Sequence, residues 1–363
     1  MKKLFFIAAI ASVALASCVK NEVAPTAMQQ DEITFLSPVV GPQTKASLSG
    51  NTYPITHGDF KVFAWYHEGD YVQANASTYP AYMSDVTVKY DSGIDDGTTT
   101  GSGAWHATPS YYWPKNENAK LSFDAYYPAT GLTVSAKPEA GIVITDYTVD
   151  SDISKHIDIL VSDRAWNKEN STSGLNTTYD GVDIKFNHVL SSINFTVATA
   201  ADYGANTIKV KSITVKGDSK GTFKQNVTGA GTQVPFWEGQ SNNQTYTVIS
   251  NADAASSTPV TSTATPIGTE AILLPQNFGT GKTSITVEYY ITNGSETPLL
   301  QTETFNLTDT GYSATEGGSP VTVTSWEQGH KYIYNIVFTL NEVYFAPEVV
   351  DWVPVETTGY PAI

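Results

Sequence analysis

The most informative chemical group in the sequence is one thiol near the N-terminus. Cys18 is the only cysteine in 363 residues, and it ends the tetrapeptide 15–18 (LASC). Residues 1–17 combine two lysines, a short apolar run and small residues, which is typical of a secretory signal peptide. This pattern predicts a bacterial lipobox, in which the leader is cut before Cys18 and the thiol is acylated. The alternative is an ordinary leader with an accidental cysteine.

Two short motifs resemble catalytic loops, but neither has the context that its chemistry needs. Residues 217–221 (GDSKG) match the G-x-S-x-G nucleophile elbow, which requires a strand, a sharp turn and a helix. Strand-like sequence lies on both sides, so we expect a β-turn here. Residues 281–283 (GKT) resemble the end of a P-loop, but Gln276 occupies the position of its first glycine. No enzyme activity is predicted.

Metal-binding chemistry has little support. Asp91, Asp95 and Asp96 lie in a glycine-rich loop, 91–103, which could bind calcium or could simply be solvated. The six histidines have no zinc-ligand spacing, and His188 is expected to be a hydrogen-bonded structural residue. No pair among the carboxylates stands out for glycoside hydrolysis. No metal and no cofactor are therefore expected, apart from a covalent lipid on Cys18.

The net charge restricts the partners of the chain. It is −16 at pH 7, which argues against nucleic acid and against electrostatic docking to a membrane. No apolar run after the leader is long enough for a spanning helix. The lipid is therefore the one membrane link that we expect.

Apolar residues alternate with a period of two along most of the chain. The pattern predicts half-buried strands with one wet face, around residues 60–66, 121–125, 182–186, 193–197, 285–289 and 332–340. No amphipathic helix longer than two or three turns is evident. Strands without intervening helices favour an all-β fold of antiparallel sandwiches.

The polar loop 167–181 is the best candidate domain boundary. It divides the chain into an N-terminal sandwich, 46–180, and a C-terminal sandwich, 181–363. The boundary could also lie some fifteen residues later, if the strand after this loop belongs to the first domain. Residues 18–45 are predicted to be a lipidated N-terminal arm.

Several phrases in fixed order resemble the fimbrillin family, the lipoprotein subunits of Bacteroidetes-type (type V) pili. The phrases are 112–114 (YWP), 121–128 (LSFDAYYP), 157–162 (IDILVS), 186–191 (FNHVLS), 273–276 (LLPQ), 326–334 (WEQGHKYIY) and 350–352 (VDW). The resemblance implies two antiparallel transthyretin-like β-sandwich domains. It also implies a precursor at the outer membrane that a trypsin-like protease cuts after a basic residue, followed by strand exchange between subunits.

Residues near both termini fit the parts that this resemblance implies. Residues 33–36 (ITFL) alternate and could be a removable strand, and Lys45 is the only basic residue between Lys20 and Lys61. Cleavage between Lys45 and Ala46 would lie in a turn-like segment that a protease can reach; the alternative is an ordinary solvated lysine. The apolar segment 344–363 could be a donor strand, although Pro347 and Pro354 each remove a ladder donor.

The expected function is therefore that of a surface pilus subunit that serves cell adhesion. Its partners would be other pilus subunits, the processing protease, outer-membrane lipid and a host protein or glycan. The main alternative is a monomeric surface lipoprotein that binds glycan or host protein through loops such as 91–103. A hydrolase with unrecognised carboxylates is a third possibility.

Overall fold

The computed structural model describes residues 32–41, 51–53, 55–92, 103–116, 118–170, 181–229, 231–316, 318–340 and 343–352. Strands are the dominant secondary structure in these ranges, so the prediction of an all-β fold is confirmed. The helices in this part of the chain are three short 3-10 helices, Ile55–His57, Gln73–Thr78 and Ile153–Lys155. None of them has the length and apolar character required to cross a membrane.

The first half of the chain contributes most of one large sheet, which we call the N-terminal sheet. Its strand order is β1-β6-β5-β4-β7-β10-β12-β2-β3, and β11 also pairs with β7. The strands up to residue 188 are β1 (Thr34–Phe35), β2 (Val39–Gly41), β3 (Asn51–Thr52), β4 (Phe60–Glu68), β5 (Ala81–Asp91), β6 (Ala104–Thr108), β7 (Ala119–Tyr127), β8 (Val134–Lys137), β9 (Gly141–Thr148), β10 (Leu160–Ser162), β11 (Ala165–Lys168) and β12 (Lys185–His188).

The second half of the chain builds two further large sheets. The C-terminal sheet has the order β19-β13-β27-β28-β24-β25, with β20 on β13; the long-strand sheet has the order β23-β22-β14-β9-β8, with β17 and β18 on β14. The strands are β13 (Ser191–Thr199), β14 (Asn206–Lys224), β15 (Val227–Gly229), β16 (Thr232–Gln233), β17 (Phe236–Ser250), β18 (Thr258–Pro259), β19 (Thr265–Pro266), β20 (Ala271–Leu273), β21 (Gln276–Asn277), β22 (Thr283–Asn293), β23 (Leu299–Leu307), β24 (Tyr312–Glu316), β25 (Ser319–Val323), β26 (Ser325–Trp326), β27 (His330–Phe338) and β28 (Val343–Asp351).

The central strand β4 is buried on both faces. Phe60 and Val62 pack into a core that is formed mostly by side chains on one face of the N-terminal sheet. Phe63 and Trp65 point to the other face and join the larger core beneath the long-strand sheet. The expectation of one wet face is therefore wrong for this strand, because a second layer covers the face that alternation alone would leave in water.

The three sheets do not divide cleanly at one point of the chain. Strand β12 follows the candidate boundary yet pairs with β10, so it lies in the N-terminal sheet. The hairpin β8–β9 precedes the candidate boundary, yet β9 pairs with β14 of the long-strand sheet. The domain bounds 46–180 and 181–363 stay a prediction.

A buried ion pair joins the N-terminal sheet to the long-strand sheet. Asp124 and Arg164 are both fully buried, and an Arg164 η-nitrogen lies 2.6 Å from an Asp124 carboxylate oxygen. Gln225, directly after β14, donates to the same carboxylate and to the Ser162 carbonyl. Trp65 donates its indole N–H to Asp124. Because each carboxylate oxygen of Asp124 has a hydrogen-bond partner, these bonds offset the desolvation cost of the buried pair. The network also holds the two sheets in a fixed relative position.

We expect Arg164→Met to destabilise the chain by about 3–5 kcal/mol, because Asp124 would remain buried and unpaired. The measurement is the urea midpoint of unfolding, compared with that of the natural chain. Lys120→Met is the matched control, since Lys120 pairs with an Asp70 side chain that is 72% exposed. Such an exposed pair contributes less than about 1 kcal/mol. Equal losses in the two variants would contradict the role of the buried pair.

Candidate functional site

Residues 33–41, here called the closing strand, lie between two strands that are distant along the chain. On one side, Thr34 and Phe35 pair antiparallel with β6. Further along, β2 pairs parallel with β12 and antiparallel with the short strand β3. The segment between them continues the second edge, since the amides of Leu36 and Val39 donate to the carbonyls of Val182 and Ile184, both at 3.1 Å. Without this segment, β6 and β12 would become open edges of the sheet, and β3 would lose the strand that it pairs with.

Three side chains of the closing strand fill the core of the N-terminal sheet. Ile33, Phe35 and Val40 are 0%, 3% and 1% exposed. The Phe35 ring meets the edges of Phe60 and Phe123, with ring centroids 6.0 and 5.9 Å away. Full burial of one such side chain is worth about 1.5–3 kcal/mol. The closing strand therefore stabilises the sheet through side chains as well as through its backbone.

Aromatic side chains form the floor below the closing strand. Tyr53 contacts Phe60, Trp105 and Phe186, with centroids 5.4–5.9 Å apart. Burial raises the pKa of the Tyr53 phenol, and its hydroxyl donates to the Gly58 carbonyl at 2.9 Å. The closing strand itself has no charged residue from position 33 to 41. The contact is thus apolar and uncharged, which suits the binding of a strand rather than catalysis.

Gly181 allows the backbone of the closing strand to come close to the backbone of residue 181. A Cβ atom at this position would lie 2.8 Å from the Leu36 amide nitrogen and 2.9 Å from the Phe35 carbonyl carbon. Neither backbone atom can move aside without shifting the strand. A strand can therefore occupy this position only because residue 181 has no side chain.

The candidate donor segment at the other end of the chain is paired within its own sheet. β28 runs antiparallel to β27 along its whole length and parallel to β24 at Glu348 and Val349. The Phe345 ring stacks on Phe305 and Tyr334, with centroids 5.0 Å away in both cases. Residues 353–363 of this segment lie outside the described residues.

The end of β28 contacts the N-terminal sheet. Trp352 stacks on His188, with ring centroids 4.3 Å apart and planes inclined by 10°. The His188 Nδ1 atom lies 2.6 Å from an Asp158 carboxylate oxygen. The expectation that His188 is a hydrogen-bonded structural residue is therefore confirmed.

The predicted lipidation and cleavage residues cannot be placed. Cys18, Lys45 and Ala46 lie outside the described residues, and so do Asp95 and Asp96 of the candidate calcium loop. Asp91 is the exposed last residue of β5. In the part of the chain that the structure describes, no three His, Cys, Asp or Glu side chains come together to hold a metal ion.

The G-x-S-x-G motif lies in the middle of β14, so the expectation of a β-turn is wrong. Ser219 is 1% exposed, and its hydroxyl donates to the Asn242 carbonyl. A Cβ atom on Gly217 would lie 3.0–3.1 Å from Gln276 and Trp326, and one on Gly221 would lie 3.3 Å from Trp237. These glycines make room for side chains that cover the strand, and no exposed nucleophile exists here.

Three tryptophans of the N-terminal half are core residues. Trp65, Trp105 and Trp113 are at most 7% exposed, so their rings are not free to stack on a sugar. Trp166 is half-buried, where it meets the edge of Tyr71 and lies 5.2 Å from the Arg164 guanidinium.

Sequence reasoning identified the first half of the closing strand, at residues 33–36, but missed its second half. Val39 and Val40 follow Pro38, which interrupts the alternation. The parallel pairing of β2 with β12 joins residues almost 150 positions apart, and no local pattern predicts it. Gly181 carried no signal either, because its importance depends on the strand that faces it.

The chain belongs to the fimbrillin-like family, whose model matches residues 44–352. This is a family of fimbrial proteins and not of enzymes. Among curated proteins, no sequence matches the chain.

One solved structure of a fimbrial protein shares the fold of this chain, and other fimbrial and adhesion proteins align with most of it at lower similarity. A fimbrial protein from Bacteroides vulgatus has a TM-score of 0.58 at 17% identity, covering 89% of this chain and 100% of that one. A proposed cell-adhesion protein from Bacteroides uniformis has a TM-score of 0.47 at 16% identity, over 90% and 100% of the two chains. The tip fimbrial protein Mfa3 from Porphyromonas gingivalis, with a C-terminal truncation, has a TM-score of 0.39 at 10% identity, over 81% and 94%.

We expect Gly181→Ala to loosen the closing strand, because the added Cβ atom would overlap its backbone. Overpacking of this kind costs about 1–3 kcal/mol. Hydrogen exchange of the Leu36 and Val39 amides should then be roughly 5–150 times faster, since 1.4 kcal/mol corresponds to a factor of ten.

Gly229→Ala is the matched control for this variant. A Cβ atom there meets nothing within 4 Å, so exchange at Leu36 and Val39 should not change. Unchanged exchange in Gly181→Ala as well would show that the closing strand does not depend on this close approach.

Proposed function

We propose that this chain is a structural subunit of a surface pilus that serves cell adhesion. The precursor is held at the outer membrane by a lipid on Cys18. Cleavage between Lys45 and Ala46 removes the closing strand, and the subunits then polymerise when a terminal strand of one copy enters the open edge of the next. No catalytic step belongs to this function.

The observation that carries the proposal is the position of the closing strand. It pairs with β6 on one side and with β12 on the other, so its loss opens two edges of the same sheet at once. Loss of its three buried side chains would leave apolar pockets open to water. Exposed edges and pockets of this kind are completed most readily by another extended segment, which restores backbone hydrogen bonds and buried area together.

The order of the parts along the chain supports the same sequence of events. Lys45 follows Gly41, the last residue of β2, by four positions. One cut there would sever the whole closing strand from the rest of the chain. Because Cys18 lies on the same side of the cut, this cleavage would also free the subunit from its lipid anchor. Processing and release would therefore be one event.

We expect Lys45→Ala to keep the closing strand in the chain and to abolish polymer. Protein sheared from the natural cell surface should begin at Ala46, whereas the variant should retain residues 18–45. N-terminal mass spectrometry of the sheared material, together with SDS gels run without boiling, measures both effects. Lys61→Ala is the control, because Lys61 lies on β4 and pairs with Asp85. This variant should begin at the same N-terminal residue as the natural chain and should form the same polymer.

A variant Lys45→Ala that polymerises and begins at Ala46 would remove Lys45 from the mechanism. A natural chain that stays monomeric, keeps the closing strand and binds a glycan or host protein would favour the alternative, a monomeric surface lipoprotein.

We expect Cys18→Ser in the Lys45→Ala background to move the chain from the membrane to the soluble fraction, because lipid and cleavage are then both absent. Ser17→Ala is the control and should leave the chain in the membrane, since a small residue remains before the cysteine. Membrane association of the Cys18→Ser chain would contradict lipid anchoring.

A further inference from the structure

Strand β23 lies at one edge of the long-strand sheet. It pairs with β22 from Leu299 to Leu307 in an unbroken antiparallel register. In the part of the chain that the structure describes, no strand pairs with the other side of β23. A row of backbone N–H and C=O groups along nine residues is therefore open to pairing with a further strand.

The sequence of β23 lacks the features that usually prevent an edge from pairing with another chain. Lysine, proline, a bulge and short length are the common protections. Residues 299–307 read LLQTETFNL, with no lysine and no proline, and their pairing with β22 has no bulge. Leu299 and Leu300 are 62% and 41% exposed. The edge is thus long, regular and partly apolar.

Other edge strands of the described structure carry these protections. Strand β8 has four residues and ends at Lys137, and the five-residue strand β25 contains Pro320. Strand β17 is long, but two irregularities interrupt its pairing with β14. Strands β1 and β3 have only two residues each. This contrast distinguishes β23 as an edge that is suited to pairing.

The sequence of β23 is complementary to itself in one antiparallel register. When two copies of a strand pair about a two-fold axis, one residue lies opposite itself. With the axis at Thr302, Leu299 lies opposite Phe305 and Gln301 lies opposite Glu303, and each pair occurs twice. A leucine then meets an aromatic ring, and an amide can donate to a carboxylate. Both kinds of pair stabilise neighbouring strands.

The neighbouring registers are less favourable. An axis at Glu303 would place two carboxylates directly opposite each other, which destabilises a strand pair. An axis at Gln301 would place Glu303 opposite Leu299, and an axis at Thr304 would place it opposite Phe305. An axis between two residues would oppose side chains from different faces of the sheet, which the two-residue period of a strand does not allow.

We propose that β23 is a docking edge for β23 of a second copy of this chain, paired antiparallel about a two-fold axis at Thr302. The pairing joins the two long-strand sheets into one continuous sheet. It also places the exposed side chain of Leu299 beside Phe305 of the second copy. Neither the closing strand nor β28 takes part, so this contact goes beyond the proposed function.

A single pairing of this kind is weak. Seven residues of one strand edge cover less surface than the about 1,200–2,000 Å² that a stable interface buries, so dilute chains stay monomeric. In a pilus every subunit would present the same edge, and repeated weak contacts would hold two fibres side by side. This consequence rests on the proposed function, whereas the pairing itself does not.

A single cysteine at the axis tests the pairing. The chain Cys18→Ser, Lys45→Ala, Thr302→Cys keeps its closing strand and, in the proposed mechanism, does not join another copy by strand exchange. Because residue 302 lies opposite itself, the two Cβ atoms would be about 4.5–5.5 Å apart, close enough for a disulfide after a small adjustment. Oxidation of the concentrated protein with copper phenanthroline should give a covalent dimer on non-reducing gels.

Thr304→Cys in the same background is the matched control. Thr304 is exposed like Thr302 and lies on the same face of β23, but in this register it faces Leu300 of the second copy. The two residues 304 are then four positions apart along the strands, which is about 13 Å. Its yield of covalent dimer should be lower by about tenfold or more, because a disulfide cannot span this distance.

Thr302→Lys measures the pairing without a cysteine. In the chain Cys18→Ser, Lys45→Ala, this change places two lysines opposite each other at the axis, while Glu288 lies opposite the same position on β22 and favours the fold. Self-association measured by sedimentation should weaken about tenfold, because like charges in this position repel. Thr304→Lys is its control and should change self-association less than about threefold.

The outcomes separate this inference from the proposed function. Equal dimer yields from the two cysteine variants, or no dimer from either, would overturn the pairing at Thr302 and leave strand exchange intact. Equal self-association of the two lysine variants would overturn it as well. A dimer that forms only through residue 302 would support the pairing, and it would do so whether or not the natural chain polymerises.

Discussion

The pairing of the closing strand with both β6 and β12 is the interaction on which the rest of the account depends. A strand at the edge of a sheet has one partner, and its removal exposes one row of backbone groups. The closing strand instead completes the sheet from both sides, and it brings three buried side chains with it. Removing it would leave two edges and an apolar floor in water, a state that an incoming strand would stabilise strongly.

The proposed groove would be useful only if the rest of the subunit kept its shape after removal of the closing strand. The buried pair of Asp124 and Arg164 contributes to this, because it ties β7 of the N-terminal sheet to the end of β14 through Gln225. Although burial acts against the charge, the Asp124 carboxylate keeps the pKa of the Arg164 guanidinium above its ordinary value. None of these residues lies on the closing strand, so the connection between the sheets does not depend on it.

The sequence predicted the class of fold better than its details. Alternation with a period of two identified the strands, since it reflects one buried face, but it could not show that Phe63 and Trp65 on the other face of β4 are also buried. That burial comes from a second sheet, and the sequence does not reveal which sheets stack. The hairpin β8–β9 illustrates the same limit, because its pairing with β14 joins residues about 80 positions apart.

The candidate site shows the same division between local and distant information. The alternation of residues 33–36 and the lysine at 45 are local and visible in the sequence, whereas the role of Gly181 depends on the backbone that faces it. The burial of Ile33, Phe35 and Val40 likewise depends on the residues that surround them in the folded sheet.

The most direct measurement is a cryo-electron microscopy reconstruction of polymer sheared from cells. The account predicts that density between β6 and β12 of each subunit belongs to the neighbouring copy. A polymer in which each subunit retains its own residues 33–41 in that position would contradict it.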